Sequence, residues 1–130
     1  MDQERYARGL QALKDIDGEA GETVVARLAQ SPDIGQDVAE MLVGFAFGEV
    51  YSRPLLPRRD KEIAVIAALA AMGYPLPQLK VHIRAALNVG VTREEIKEIF
   101  VLMALYAGFP AMLNALLAME EVFGQVDATG

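Results

Sequence analysis

Apolar residues recur at helical spacing along most of this chain, and no stretch of useful length alternates between apolar and polar residues as a half-buried strand would. Glycine, proline and short polar turns divide the helical pattern into segments. The predicted helices cover residues 2–16, 22–30, 33–50, 57–73, 78–88, 92–107 and 110–123, and the residues after 123 are expected to fray. With 130 residues, the sequence predicts one domain, 1–130, that folds as an all-α bundle of about six to seven helices.

Polar residues and prolines predict how several of these helices begin. Thr92 and Glu95 have the spacing of a capping box, in which the Thr92 hydroxyl accepts the Glu95 backbone N–H and the Glu95 carboxylate reaches back. Asp33 or Asp37 can cap the third helix, and Pro57 is well placed to open the fourth.

The segment from Phe100 to Met119 contains no formal charge over 20 residues, which is the length of a membrane span. Gly108 and Pro110 interrupt it in the middle, and Asn114 lies in its second half. Two buried helices that meet at a turn explain this segment better than one span. The N-terminus is charged from its second residue and does not resemble a secretory signal, so no membrane partner is predicted.

The composition excludes several classes of function. The chain has no cysteine, which removes disulfides, thiolate nucleophiles and cysteine-type zinc sites, and it has one histidine, which makes a metal site within one chain unfavourable. The net charge is -6 and no basic block is present, so nucleic acid is not an expected partner. Neither a metal nor another cofactor is predicted, and the absence of cysteine fits a cytoplasmic protein.

The apolar content is high for a small domain. Hydrophobic residues make up 53% of the chain and the mean hydropathy is +0.24. Such a composition indicates that another subunit covers part of the apolar surface. A homo-oligomer is therefore expected.

The single histidine, His82, is the first candidate for a functional residue. Leu79, His82, Ile83 and Ala86 fall on one helical stripe, so the imidazole points in the same direction as apolar side chains. An ionisable ring on such a stripe is either a structural residue with both nitrogens hydrogen-bonded or the centre of a site.

Other polar residues occupy similar positions. Glu49 and Tyr106 each end an apolar stripe, Arg53 follows Glu49 by four residues, and Glu62 lies near the start of the fourth helix on an apolar flank. The two stripes are predicted as Val38, Met41, Leu42, Phe45 and Glu49 in the third helix, and Ile96, Ile99, Phe100, Met103 and Tyr106 in the sixth. Together with His82, these residues offer an acid, a base, a phenol and a cation, which are sufficient for proton transfer on an anionic substrate.

Each of these residues also has a structural interpretation. Glu49 and Arg53 can form an ion pair, and Tyr106 can be a core aromatic residue whose hydroxyl reaches water. For Glu62 alone, a favourable position in the first turn of a helix, next to the positive end of the helix dipole, is the better interpretation.

Three motifs in this order resemble the carboxymuconolactone decarboxylase family: GEVYSRP at 48–54, PQLKVHIRAALNVGVTREEI at 77–96 and YAGFPAMLNAL at 106–116. The resemblance covers about residues 45–123. It implies an all-α domain that assembles as trimers paired into hexamers. The family often has glycine after the proline of the first motif, whereas this chain reads SRPLL, which alters the loop beside the expected site.

The wider superfamily contains alkylhydroperoxidase D-like peroxidases, which carry two cysteines between a glutamate and a histidine. On this sequence Glu62 takes the glutamate place, Tyr74 and Pro77 fall on the cysteine places, and His82 follows the histidine place by one residue. A thiol peroxidase needs a thiolate that attacks and a second thiol that resolves. Without cysteine, this chain cannot perform that reaction.

The decarboxylase branch converts a carboxymuconolactone into an enol-lactone with loss of carbon dioxide, and the resemblance implies a small carboxylated substrate. It assigns Arg53 to the substrate carboxylate, His82 to proton transfer or oxyanion stabilisation and Glu49 to orientation or deprotonation, with Glu62 and Tyr106 as further catalytic candidates. The alternative is an oligomeric protein of the same family that binds a small acid without converting it. An antioxidant role is disfavoured by the absence of cysteine.

Overall fold

The computed structural model describes residues 2–129, and all regular structure among them is helical. The elements are α1 Gln3–Gln30, α2 Gln36–Glu40, a π-helix Met41–Val50, α3 Arg58–Met72, α4 Leu76–Asn88, α5 Arg93–Ala107 and α6 Phe109–Thr129. The all-α prediction is confirmed, since six α-helices and one π-helix stand where six to seven helices were predicted. The chain forms two compact units, one that ends at Arg58 and one that begins at Arg59.

In the first unit, the two helices predicted for residues 2–16 and 22–30 form one element, α1, with a break at Gly18. The φ of Gly18 is 64° and its ψ is -153°, a conformation that glycine adopts without the steric penalty of a side chain. The predicted turn is therefore confined to a single residue. At the start of α1, the Asp2 carboxylate accepts the backbone N–H groups of Glu4 and Arg5 at 2.9 and 3.4 Å.

The third predicted helix differs from its prediction in its start. Neither Asp33 nor Asp37 caps it, because the N-cap residue of α2 is Gly35, with φ 90° and no side-chain cap. The Ser31 hydroxyl instead accepts the backbone N–H groups of Asp33 and Ile34 at 3.3 and 3.2 Å, which orders the turn before α2.

The predicted apolar stripe of this helix was also wrong. Val38, Met41 and Phe45 are 40%, 63% and 56% exposed. The buried residues of α2 and the π-helix are Ala39, Val43, Gly44, Phe47 and Gly48. This face is buried because its glycines allow a backbone to approach at van der Waals distance, which a search for large apolar residues does not detect.

Glycines on both sides make this close contact between α1 and the π-helix. A Cβ added to Gly48 would lie 2.5 Å from the Arg5 carbonyl oxygen, and one added to Gly9 would overlap the Val43 carbonyl oxygen. Real Cβ atoms do not approach oxygen so closely, so both positions require glycine at this spacing. The contact pairs Arg5 with Gly48 and Gly9 with Val43, so the two segments pass each other in opposite directions.

The second unit is built around one apolar core. Its fully buried members include Ile66, Leu79, Ile83, Ile96, Phe100 and Val122, contributed by α3, α4, α5 and α6. The predicted capping box at the start of α5 is confirmed: the Thr92 hydroxyl accepts the Glu95 N–H at 3.1 Å, and the Thr92 N–H donates to Glu95 Oε1 at 2.9 Å.

The uncharged segment Phe100–Met119 divides between α5 and α6 at Gly108, whose φ is 94°. No helix within residues 2–129 is long and apolar enough to cross a membrane. Because α5 ends at Ala107 and α6 begins at Phe109, the turn predicted in the middle of this segment is confirmed. Pro110 lies in the first turn of α6, where a missing N–H costs little.

The prediction that the chain frays after Phe123 was wrong, because α6 continues to Thr129. The Arg93 guanidinium forms an ion pair with Asp127 at 2.6 Å, and Val126 packs against the core. These contacts hold the last two turns, and the apolar pattern alone did not show them because one partner lies at the start of α5.

Candidate active site

A buried carboxylate and the single histidine meet in the second unit. Glu62 Oε2 on α3 lies 3.0 Å from His82 Nδ1 on α4. The Glu62 side chain is 0% exposed and that of His82 is 17% exposed. A carboxylate removed from water needs a partner of opposite charge or a hydrogen-bond donor, and the imidazole provides it.

The helical stripes explain why these two residues meet. Glu62, Ile66 and Ala70 form the buried face of α3, and His82 stands beside Leu79 and Ile83 on the buried side of α4. The interpretation of Glu62 as a first-turn residue stabilised by the helix dipole was wrong. Glu62 is the fifth residue of α3 and lies one turn before Ile66, so it faces the core rather than water.

Glu62 has a second feature that distinguishes it from a structural ion pair. Among residues 2–129, Glu62 Oε1 has no hydrogen-bond partner, although it is buried. An unsatisfied buried acceptor costs about 1–3 kcal/mol and is uncommon in folded proteins. Such a cost is typically retained at a site where the group has a function.

The contact also restricts the protonation of His82. An ionised carboxylate only accepts hydrogen bonds, so an ionised Glu62 requires the proton on His82 Nδ1. In the neutral imidazole, Nε2 is then the nitrogen with the lone pair. Glu62 therefore selects one tautomer and fixes the plane of the ring.

Glu49 lies in the first unit, near the end of the π-helix, and its environment differs from the prediction. Its side chain is 47% exposed, so it does not interrupt a core-facing stripe. Its Oε1 lies 3.2 Å from Arg5 Nε, which makes Arg5 an ion-pair partner that the sequence did not reveal. Arg53 follows in the loop after the π-helix and is exposed, and its backbone N–H donates to the Val50 carbonyl at 3.3 Å.

Tyr106 is 80% exposed, and its prediction as a core-facing residue was wrong. Ile96 and Phe100 bury the first two turns of α5, and the last turn, before Gly108, extends beyond the core. Tyr106 shares this exposed surface with Leu105 and Phe109, which are 76% and 65% exposed.

The structure thus brings together two pairs of residues, one in each unit. His82 contacts Glu62, and Glu49 contacts Arg5. Arg5 was missed because it lies 44 positions before Glu49, although its position one turn before Gly9 on α1 is a signal that this face contacts another backbone.

Two clefts elsewhere in the protein contain none of the predicted site residues. One, of about 440 Å³, is lined by Gln3, Tyr6, Ala7, Leu10, Gln36 and Glu40 in the first unit. The other, of about 330 Å³, is lined by Ile63, Glu94, Glu95, Glu98 and Ile99 in the second unit. Within residues 2–129 no three histidine, aspartate or glutamate residues are grouped so that they could hold a metal ion.

Sequence comparison identifies a family and several known proteins that this chain is similar to. Residues 36–121 match the model of the carboxymuconolactone decarboxylase family. A 4-carboxymuconolactone decarboxylase from Acinetobacter baylyi is 41% identical over 122 residues, which are 94% of this chain and 89% of that protein. An uncharacterised 15.0 kDa protein from Paracoccus denitrificans is 32% identical over 89% of this chain and 80% of its own length. A nitrosuccinic acid decarboxylase from Metarhizium robertsii is 26% identical over 93% of this chain and 82% of its own length.

Proposed function

Because the chain belongs to the carboxymuconolactone decarboxylase family, we propose that it is a cofactor-free decarboxylase of a small carboxylated lactone or a related acid. The observation that carries this proposal is the contact between the buried Glu62 carboxylate and His82 Nδ1 at 3.0 Å. Two of the relatives are decarboxylases by name, and both names describe small carboxylated substrates.

The reaction breaks the bond between a ring carbon and one carboxylate, which leaves as carbon dioxide. The electron pair of that bond passes into the conjugated lactone carbonyl and forms an enolate. One proton then adds to another ring carbon of the enolate, and the ring double bond moves to the carbon that lost the carboxylate, which gives the enol-lactone. Because the lactone carbonyl accepts the electron pair, no cofactor is required for this step.

His82 and Glu62 supply the acid–base part of this reaction. With Nδ1–H donated to Glu62, His82 Nε2 exchanges a proton with the substrate or, when protonated, donates a hydrogen bond to the enolate oxygen. The Glu62 carboxylate stabilises the positive charge that the imidazole carries in its protonated form. Glu62 is buried and acts through the histidine.

Arg53 and Glu49 supply the remaining roles in the proposal. The exposed Arg53 guanidinium binds a substrate carboxylate that is retained in the product, for which its planar pair of donors is well suited. Glu49 orients the substrate. Tyr106, at 80% exposure, is a candidate for contact with substrate only where another chain covers it.

We also propose that the protein forms a homo-oligomer, a trimer or hexamer, in the cytoplasm. The support is an apolar surface on the adjoining ends of α5 and α6, which carries no charged side chain. Its exposed members are Leu102, Leu105, Tyr106, Phe109, Leu113 and Leu117. Copies of a chain with a net charge of -6 repel one another, and an uncharged surface allows them to associate without like charges in contact.

The test is incubation of the purified protein with 4-carboxymuconolactone, followed by ultraviolet absorbance and measurement of released carbon dioxide. Catalytic formation of the enol-lactone supports the proposal. Binding of intact lactone without any product would contradict it and favour the alternative, a family member that binds a small acid without conversion. Nitrosuccinate, the substrate class in the name of one relative, serves as a second substrate in the same assay.

A further inference from the structure

Arg5, on the first turn of α1, contacts two parts of the π-helix that ends near Glu49. Its Nε–H donates to the Gly44 carbonyl oxygen at 3.1 Å, and the same Nε lies 3.2 Å from Glu49 Oε1. The Arg5 side chain is 29% exposed and that of Glu49 is 47% exposed, so the arginine end of this ion pair is partly shielded from water and the carboxylate end faces it. One guanidinium therefore joins the π-helix backbone to the Glu49 carboxylate.

The backbone contact between the two segments places Arg5 accurately. Gly48, the neighbour of Glu49, lies against Arg5 itself, since a Cβ added there would be 2.5 Å from the Arg5 carbonyl oxygen. The distance between the two main chains is thus set by glycine, and the Arg5 side chain needs no movement of either segment to reach Glu49. Pre-organisation of this kind reduces the conformational freedom that Glu49 loses when it acts.

Arg5 also stabilises the π-helix through a hydrogen bond to its backbone. π-helices are rare and commonly occur at functional sites. Arg5 bonds the Gly44 carbonyl, and Arg8 Nε donates to the Gly48 carbonyl at 2.8 Å. Both arginines stabilise the π-helix, and of the two it is Arg5 that forms an ion pair with Glu49.

We infer that Arg5 is a positioning residue that holds Glu49 in the orientation required for its role at the active site. This inference rests on the proposed function, because it assigns Arg5 to a residue that acts on the substrate only if the chain is a decarboxylase. Arg5 acts through Glu49 and does not itself contact the substrate.

The test compares kcat and KM for the wild type, Arg5→Ala, Glu49→Gln and the double variant, with Arg8→Ala as a matched control. Arg8→Ala also loses a bond to a π-helix carbonyl but leaves the Glu49 ion pair intact. We expect Arg5→Ala to lower kcat about tenfold, because misplacement of a reacting group costs up to about 10²-fold. We expect Arg8→Ala to retain kcat within about twofold and Arg5→Lys, which keeps the positive charge, to recover part of the loss.

The double variant separates positioning from a purely structural role. If Arg5 acts through Glu49, Arg5→Ala causes no further loss when Glu49 is already glutamine. An equal loss in both backgrounds would overturn the inference, as would wild-type kcat for Arg5→Ala. If Glu49→Gln keeps the wild-type rate, the role of Glu49 and this inference both fail, whereas the decarboxylase activity stands.

A measurement that does not require turnover tests the role of Arg5 if the wild type proves to be inactive on the lactone. If the wild type converts no lactone, the proposed function fails, and ¹³C relaxation of the Glu49 side chain then decides whether Arg5 holds it. Greater side-chain mobility of Glu49 in Arg5→Ala than in Arg8→Ala supports the contact as a positioning device. Equal mobility in the two variants overturns it.

Discussion

Glu62→Gln is the most informative substitution at the candidate site, because an amide has nearly the same volume as the carboxylate that it replaces. Glu62 is fully buried and its Oε2 lies 3.0 Å from His82 Nδ1. A carboxylate accepts only from Nδ1–H, whereas an amide can bond either tautomer, through its oxygen or through its nitrogen. The substitution therefore removes both the selection of one tautomer and the charge that stabilises protonated His82.

The expected magnitude follows from the strength of this hydrogen bond. A hydrogen bond to a charged group contributes about 1.5–3 kcal/mol, and about 1.4 kcal/mol corresponds to a factor of ten. We therefore expect kcat to fall about 10- to 100-fold in Glu62→Gln. The free energy of unfolding should change by less than about 1 kcal/mol, because no cavity forms and the loss of the bond is offset by the removal of a buried charge.

The assay combines steady-state kinetics, thermal unfolding and ¹⁵N NMR of the imidazole. Because the chain has one histidine, ¹⁵N-histidine labelling reports His82 alone. The wild type should show a proton on Nδ1, and Glu62→Gln should show a mixture of tautomers or the reverse one. Lys80→Gln is the control on the same helix as His82. It removes the ion pair in which Lys80 Nζ lies 2.5 Å from Glu121 Oε2.

Wild-type kcat in Glu62→Gln, or a wild-type imidazole without a proton on Nδ1, would refute this reasoning. A loss of kcat that is matched by unfolding of the variant would show that the carboxylate acts on stability instead.

Three further substitutions test other parts of the structure. Hydrogen bonds from the Arg59 guanidinium and from the Thr92 backbone N–H lower the pKa of Glu95 to about 2 from 4.5. The stabilisation is therefore fully present above pH 4.5 and is lost as the pH falls towards 2, so Glu95→Gln should lose less stability than the wild type over that range, as measured by chemical denaturation. Gly9→Ala should destabilise the fold by about 1–3 kcal/mol, because the added Cβ has no space. Gly124→Ala, on α6, has open space around the added Cβ and should stabilise the fold by about 0.5–1 kcal/mol. Equal effects of the two substitutions on the free energy of unfolding would contradict the close backbone contact at Gly9. Leu105→Asp should shift the mass in light scattering towards that of the 14.1 kDa single chain, and an unchanged mass would exclude the α5–α6 surface as the subunit contact.

The second unit was predicted well from the sequence, because its helices and turns are determined by residues that are close together in the chain. Large apolar residues at helical spacing identify α3 to α6, and the capping box at Thr92 and the turn at Gly108 are set by residues close together in the chain. The stripe that contains His82 was correct for the same reason, since Leu79 and Ile83 are fully buried.

The first unit was predicted less well, because it depends on small residues. Gly9, Gly44 and Gly48 lie on buried faces that have little hydrophobicity, so the stripe of Met41 and Phe45 was predicted to face the core. The spacing of apolar residues also does not distinguish a π-helix from an α-helix. Its ten residues were read as a continuation of an ordinary α-helix.

At the candidate site, the sequence predicted the candidate residues but not the contacts between them. Glu62 and His82 are 20 positions apart, and Arg5 and Glu49 are 44 apart, so their contacts depend on how the helices pack. The nearest cation in the chain, Arg53, was predicted as a possible ion-pair partner of Glu49, and the structure shows that the distant Arg5 contacts Glu49. The roles of His82, Glu62, Glu49, Arg53 and Tyr106 are predictions.

The most direct test of the central claim is the rate of lactone decarboxylation by His82→Ala at saturating substrate, beside the wild type and Lys80→Ala. If His82 transfers the proton while Glu62 holds its ring, kcat should fall about 10²- to 10⁴-fold in His82→Ala and stay near the wild-type value in Lys80→Ala. A folded His82→Ala protein that converts the lactone at the wild-type rate would contradict the claim.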